Sequence, residues 1–384
     1  MRAARKTRSR AAFAASAAVV GLICACLPTP AGAAERRVPP GFFGVMWDKE
    51  IQDAPADLQA AEWEKMARSG VESTRVVFSW NLAQERPEYK PNFVRADEMV
   101  RNAATHGIDL LPVITYAPDW ARVEHGNLAS APKDLRAYGH YVSELARRYG
   151  PRGYYWRRNP DVPKRPVRTW QLWNEPALEW QFSPHRGWPR RYAEILRTGA
   201  RAIRRRDRGA TVVLSGFANN AWSAISRLYA AGNVRPYFDA AAVHMYSAAP
   251  EDYVEIVRRF RQAMDKAGDR RKPIYVTEAG ASASASVFRS PGHEHFQTTN
   301  RGLARHVAAS YRALARVRGR FGIRRVYWYT WASSYDATSG VFGFAGLNSF
   351  SAFHVKPMPA MAAYRRTARA YEGCRKDARA RCVR

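Results

Sequence analysis

The sequence runs to 384 residues, 46% of them hydrophobic, with 62 Lys and Arg against 33 Asp and Glu and a formal net charge of +29. That excess directs surface contacts toward polyanions. Four cysteines, with no His or Cys cluster at ligand spacing, argue against a metal site, and nothing in the reading below calls for a cofactor.

Residues 1–34 read as a secretory leader. Arg2, Arg5, Lys6, Arg8 and Arg10 form its cationic start, and Ala11 to Leu27 is apolar but too short and Ala-rich for a membrane span. Ala31-Gly32-Ala33-Ala34 places cleavage after Ala33 or Ala34 and the mature protein outside the cytoplasm, secreted or extracytoplasmic. The alternative is a lipid anchor on Cys26, although Ile23-Cys24-Ala25 before it lacks the small-residue context.

Residues 35–384 remain, a 350-residue chain within the size of one α/β barrel domain. It keeps 57 Lys and Arg against 33 acidic residues, a net charge of +24. The partners this favours outside the cytoplasm are acidic polysaccharides, teichoic-type envelope polymers or anionic lipid surfaces, not nucleic acid, and no stable membrane insertion follows removal of the leader. The competing reading is that residues 201–208 and 365–369 are solvated helix faces whose charge reflects composition alone.

Along the chain, β-branched or aromatic runs alternate with helical-period stretches. Strands are predicted at Gly41–Trp47, Ser73–Trp80, Asp109–Tyr116, Arg168–Trp173, Thr211–Ser215, Ala240–Tyr246, Pro273–Thr277 and Arg325–Trp331. Helices are predicted at Asp57–Arg68, Phe93–Thr105, Pro132–Arg148, Trp188–Arg205, Trp222–Ala231, Glu251–Ala267, Thr299–Arg318 and Pro359–Tyr371. Strand followed by helix, eight times, is the pattern of a single (β/α)8 TIM barrel. Gly70, Gly107 and Gly150 are expected as left-handed caps closing three of the helices. Residues 153–168 read as an elaborated connection before the fourth strand. Cys374 and Cys382, the two cysteines left after the leader, are expected to pair and pin the tail, with two free thiols as the alternative.

In such a barrel active-site groups sit at the C-terminal strand ends. Glu175 in Trp173-Asn174-Glu175-Pro176 and Glu278 in Val276-Thr277-Glu278-Ala279-Gly280 then fall at the ends of strands four and seven. Paired carboxylates suit glycosidic bond cleavage, one carrying a proton for the leaving oxygen and the other staying ionised.

On these motifs, together with Arg75 in Thr74-Arg75-Val76, His244-Met245-Tyr246 and Trp331 in Tyr327-Trp328-Tyr329-Thr330-Trp331, the chain resembles the clan A glycoside hydrolases, family 39 and family 5 members above all. The third strand carries Tyr116 where family 5 enzymes usually have His, which makes the family 39 likeness the better one. The resemblance implies a retaining glycosidase acting on a carbohydrate substrate, with Glu175 as acid/base, Glu278 as nucleophile and carboxyls about 5–5.5 Å apart.

It further implies that Arg75 and Tyr246 hold the Glu278 carboxylate, that Asn174 donates to a sugar 2-OH, and that His244 orients Tyr246 or a sugar hydroxyl. Read alone, Arg75 is more often a structural ion-pair partner, and for His244 a core histidine is the equal alternative. Trp47, Trp80, Trp120, Trp180 and Trp331, at or past strand ends, are candidate sugar platforms, with Trp331 foremost. The loops Ala177–Pro189 and Ala281–Gln297 are expected to wall the cleft, the second starting with an alternating Ala-Ser run expected to be mobile. A barrel that binds envelope or acidic glycan without turnover is the alternative function.

Overall fold

Eight parallel strands close into a barrel: β1 (Phe43–Trp47), β2 (Ser73–Ser79), β3 (Asp109–Thr115), β4 (Thr169–Leu172), β5 (Thr211–Phe217), β6 (Ala240–Tyr246), β7 (Ile274–Gly280) and β8 (Ile323–Trp328). Each pairs with the next, and β8 returns to β1 through Phe43–Val326, Gly44–Tyr327 and Val45–Trp328. The computed structural model describes residues 35–383. The expected leader over 1–34, with its cleavage site and Cys26, lies outside the described residues.

The helices α1 (Ala56–Arg68), α2 (Val94–Thr105), α3 (Leu135–Tyr149), α4 (Trp188–Arg206), α5 (Ala221–Ala230), α6 (Pro250–Lys266), α7 (Asn300–Phe321) and α8 (Pro359–Glu372) follow the strands in order. Sequence explains their faces and ends. On α4 the buried Tyr192, Ile195, Leu196, Gly199 and Ile203 recur at helical spacing. Asp134 accepts the backbone N–H groups of Arg136 and Ala137 to start α3, and Thr299 that of Gly302 to start α7. Among the described residues, no helix is long and apolar enough to cross a membrane.

Gly70 and Gly107 adopt the expected left-handed backbone, φ +90° and +69°. Gly150 does not: its φ is −68°. There, glycine answers a close approach instead, since a Cβ would lie 2.5 Å from the Ala146 carbonyl oxygen.

Leu111, Val213, Ala240, Ala242, Tyr275 and Tyr327, all from barrel strands, form a cluster of their own apart from the main core. They plug the barrel interior below the polar layer, as inward side chains of a closed barrel must. The larger apolar core lies between strands and helices.

Several strand ends differ from the reading of the sequence: β5 and β7 run past Ser215 and Thr277 to Phe217 and Gly280, which puts Glu278 inside β7. β4 stops at Leu172, and Trp173 already has φ +70°. β8 stops at Trp328, so Trp331 lies beyond it, just before β9 (Ala332–Ser333). β9 pairs with β10 (Asn348–Ser351), which pairs with β11 (His354–Pro357), a small sheet not foreseen. The connection before β4 includes a short helix, Tyr154–Arg158. Cys374 and Cys382 form a disulfide across the terminal hairpin β12 (Arg375–Lys376) and β13 (Cys382–Val383).

Candidate active site

Glu175 and Glu278 meet at the C-terminal mouth of the barrel. With His244 they place carboxylate and imidazole atoms all within 4.8 Å of one another. Both carboxylates are only 6% exposed, so each needs partners or a proton. Glu278, on β7, has strong ones. Arg75 on β2 donates through Nη1 to Glu278 Oε1 at 2.5 Å, and the Tyr246 hydroxyl on β6 donates to Oε2. Burial pushes the Glu278 carboxyl up, but the charges of His244 and Arg75 and the bonds from Tyr246 and Arg75 outweigh it and hold it below the usual carboxylate range.

Arg75 is fixed on all sides. Its Nε donates to Gln171 Oε1 at 2.6 Å and its Nη2 to Asn174 Oδ1 at 2.7 Å. Gln171 is held in turn by donating to the Leu214 carbonyl at 2.9 Å. It is fully buried, with its side-chain amide satisfied on both sides.

Glu175 has a different environment. His244 Nδ1 lies 2.8 Å from its Oε1 and 3.4 Å from Glu278 Oε2. His244 Nε2 is buried without a hydrogen-bond partner, so the ring bonds through Nδ1, which donates toward the carboxylates. Around the site Tyr116, Trp173 and Glu175 have φ of +57°, +70° and +40°. For non-glycine residues this backbone costs about 1–3 kcal/mol each and is retained where the surroundings enforce it.

The two carboxylates open into a cleft of about 590 Å³ lined also by Asn174, Tyr116, Tyr246, Tyr329 and Trp180. Burial, then nearby Asp48 and Glu278, raises the Tyr116 and Tyr329 phenols, and burial followed by Glu278 raises Tyr246. All three therefore serve as neutral hydroxyl donors. A neighbouring cavity of about 610 Å³ shares Asp48, Val77 and Tyr116 with the cleft but touches neither carboxylate.

Most of the expected aromatic platforms fall elsewhere. Trp331 is 1% exposed, and its indole donates to Glu62 Oε2 at 3.0 Å, so it belongs to the core. Trp47 and Trp80 are fully buried, Trp80 donating to Gln84. Trp120 packs edge-on against Trp80, donates to the Gln84 carbonyl and does not line the cleft. Trp180, 67% exposed, does line it, and Tyr329 stands on the wall where Trp331 was expected.

Ser282 and Ser284 of the Ala-Ser run are buried. Ser282 donates to the Val341 carbonyl and Ser284 accepts from Gln297, so the start of this loop is packed in place.

Asn219 went unnoticed in the sequence. Its amide makes two bonds to the Tyr246 backbone, each of 2.9 Å, and so sets the phenol that faces Glu278. Gly216 also escaped notice: a Cβ there would fall 1.7 Å from His244 Nε2. Glu175, His244 and Glu278 offer three donor atoms to a cation, but Arg75 and Tyr246 already occupy the Glu278 oxygens, which suits proton chemistry better than a metal.

No protein-family profile and no curated protein matches the sequence. Solved structures do match its fold. A family 39 glycoside hydrolase from Bacteroides cellulosilyticus WH2 is similar at TM-score 0.66 and 16% identity, over 88% of this chain and 65% of that one. A monomeric beta-xylosidase from Caulobacter crescentus CB15 is similar at TM-score 0.62 and 18% identity, over 86% of this chain and 69% of that one. A family 51 alpha-L-arabinofuranosidase from Bifidobacterium longum follows at TM-score 0.61 and 13% identity, over 87% of this chain and 73% of that one. The chain spans just under two thirds of the first of these. The fold is the (β/α)8 barrel that these glycoside hydrolases share.

Proposed function

We propose that the protein is an exported retaining glycoside hydrolase in which Glu175 is the acid/base and Glu278 the nucleophile. The observation that carries this reading is the close pair of buried carboxylates with unequal partners. One is clamped as an anion by a guanidinium and a phenol; the other faces the cleft beside an imidazole. One oxygen of Glu175 lies within 4.8 Å of one of Glu278, which suits double displacement, because a single-displacement enzyme needs a wider gap to seat water between its carboxyls. The glycosidase folds of the structural neighbours support the same assignment.

In the first step Glu278 attacks the anomeric carbon while Glu175 gives its proton to the glycosidic oxygen; the aglycone leaves as an alcohol and an ester links sugar to Glu278. In the second step Glu175, now anionic, takes a proton from water, whose oxygen attacks the same carbon and frees Glu278. Asn174 accepts from Arg75 through its oxygen, leaving its amide N–H groups to donate to the sugar. Trp180 offers a stacking face at the rim. Among the described residues Arg75 is the one guanidinium lining the cleft, and its nitrogens are engaged by Glu278, Asn174 and Gln171. The cleft thus offers no uncommitted guanidinium to a uronic acid carboxylate, with His293 and His295 as its other basic side chains, and this lining favours a neutral sugar.

The test is a panel of neutral and acidic aryl glycosides followed by proton NMR, comparing the wild type with Glu278→Gln. Retention at the anomeric carbon and loss of about 10³-fold or more in kcat on substitution are expected. An inverted product, or a Glu278→Gln enzyme of undiminished activity, removes the nucleophile assignment.

A further inference from the structure

A further cavity, of about 290 Å³, lies at the opposite end of the barrel from the cleft, where the turn from α1 into β2, the C-terminal half of α8 and the disulfide hairpin come together. Six cationic side chains line it: Arg68, Arg365, Arg366, Arg369, Arg375 and Lys376. We propose that this cavity binds the carboxylate or sulfate groups of an acidic polysaccharide, independently of the cleft.

The site is built into the fold. Gly70 lets the α1–β2 turn press on α8, since a Cβ there would lie 2.6 Å from that of Ala368. The Cys374–Cys382 bridge closes the hairpin that carries Arg375 and Lys376.

The charge is not balanced locally. Glu64 pairs with Arg68, and Glu72 pairs with Lys376 and Arg36. Among the described residues Arg365, Arg366 and Arg369 have no ion pair. The C-terminal ends of α1 and α8 also point here, but each supplies only about half a negative charge. Three uncommitted guanidiniums exceed that.

Glu372 in the cavity wall lies 3.8 Å from Lys376 and pairs with none of these three arginines. Its side chain is 3% exposed, with neither oxygen hydrogen-bonded. Burial and the neighbouring Glu72 charge push it to about 8, toward its neutral form.

The lining also selects among polyanions. It contains no aromatic ring on which a nucleobase stacks and no large apolar side chain to enter a lipid layer. A recess walled by guanidiniums matches planar carboxylates and sulfate oxygens. The cleft, with its one committed Arg75, is not the source of such affinity.

Polygalacturonate and a sulfated glycan, titrated calorimetrically at low salt into residues 35–384, provide the probes. The Arg365→Glu, Arg366→Glu, Arg369→Glu variant is expected to bind about 10-fold or more weakly, whereas Arg305→Glu, Arg312→Glu, Arg316→Glu on α7, with the same change of net charge, stays within ~3-fold of wild type. Melting temperature and turnover of a neutral aryl glycoside should match wild type in both.

No binding by the wild type, or equal weakening by the two variants, overturns the proposal. So does stronger cavity-dependent binding to anionic phospholipid vesicles or single-stranded DNA. Should the first variant melt early, single Arg365→Ala, Arg366→Ala and Arg369→Ala proteins carry the same comparison. Binding is read without catalysis, so a chain that cleaves no glycoside leaves this result standing on its own.

Discussion

Gly216 and His244 occupy one space: the imidazole Nε2 sits where a Cβ on residue 216 would be, 1.7 Å away. Glycine on β5 thus fixes the ring on β6 that bonds Glu175. Gly216→Ala is expected to push the ring off the carboxylate and lower kcat by about 10²-fold, since a misplacement near 1 Å has that cost. Overpacking adds a stability loss of about 1–3 kcal/mol. Steady-state kinetics and a thermal melt on the same sample check both, and unchanged kcat with a shifted melt would reduce His244 to a packing role.

Glu175→Ala should separate substrates by leaving group. Poor leaving groups need the proton and should lose about 10²–10⁴-fold in kcat/KM, while activated aryl glycosides should lose far less in the first step. A kinetic series across phenols of graded acidity reads this directly. Uniform losses across the series would assign the proton to another group.

Glu278 is held ionised, so activity should persist on the acid side below the ordinary carboxylate value of 4.5. Tyr246→Phe removes one donor and should move the acid limb of kcat/KM upward. The sign for stability is the same: a carboxylate depressed in the folded state contributes above its unfolded value and loses that contribution as pH falls through the lowered one. An acid limb that stays in place in Tyr246→Phe separates the phenol from Glu278.

Trp331 and Trp180 should divide stability from binding. Trp331→Phe strands the buried Glu62 oxygen and should cost about 1–3 kcal/mol with kcat/KM intact. Trp180→Ala, at an exposed rim position, should raise KM and leave the melt within ~0.5 kcal/mol of wild type. The reverse pattern would restore Trp331 to the substrate.

Glu372, raised to about 8 by burial first and Glu72 next, makes the opposite pH contribution. Its stabilisation is complete below the unfolded value of 4.5 and is lost as pH rises through about 8. Glu372→Gln should therefore be more stable than wild type at pH 9, by an amount on the order of a few kcal/mol, with little difference at pH 4. Chemical denaturation at the two pH values decides, and parallel curves would show that the carboxyl carries no such load.

The eight strands and helices were legible because alternation and hydrophobic period are local properties. So were Glu175 and Glu278, whose motifs stand at strand ends. Trp331 was misplaced because a strand buried on both faces offers no alternation from which to read its phase or its last residue. Trp173 has left-handed backbone, so β4 ends earlier than its run of Trp, Gln and Leu suggests. Gln171, Asn219 and Gly216 act only through groups brought close by folding, and no short window of sequence contains both halves of those contacts. Lysines and arginines gave only a net charge; it took the packing of α8 against the α1–β2 turn to concentrate part of it in one recess.

Arg75 reaches Gln171, Asn174 and Glu278, partners 96, 99 and 203 positions away in the chain. Its guanidinium is thus a keystone that is set last: β2, β4 and β7 must all be in register before the nucleophile acquires its counter-charge. Half-barrel fragments, even well folded ones, would contain no weaker version of the site. During refolding, the ion pair, and with it any activity, should emerge only with closure of the whole ring.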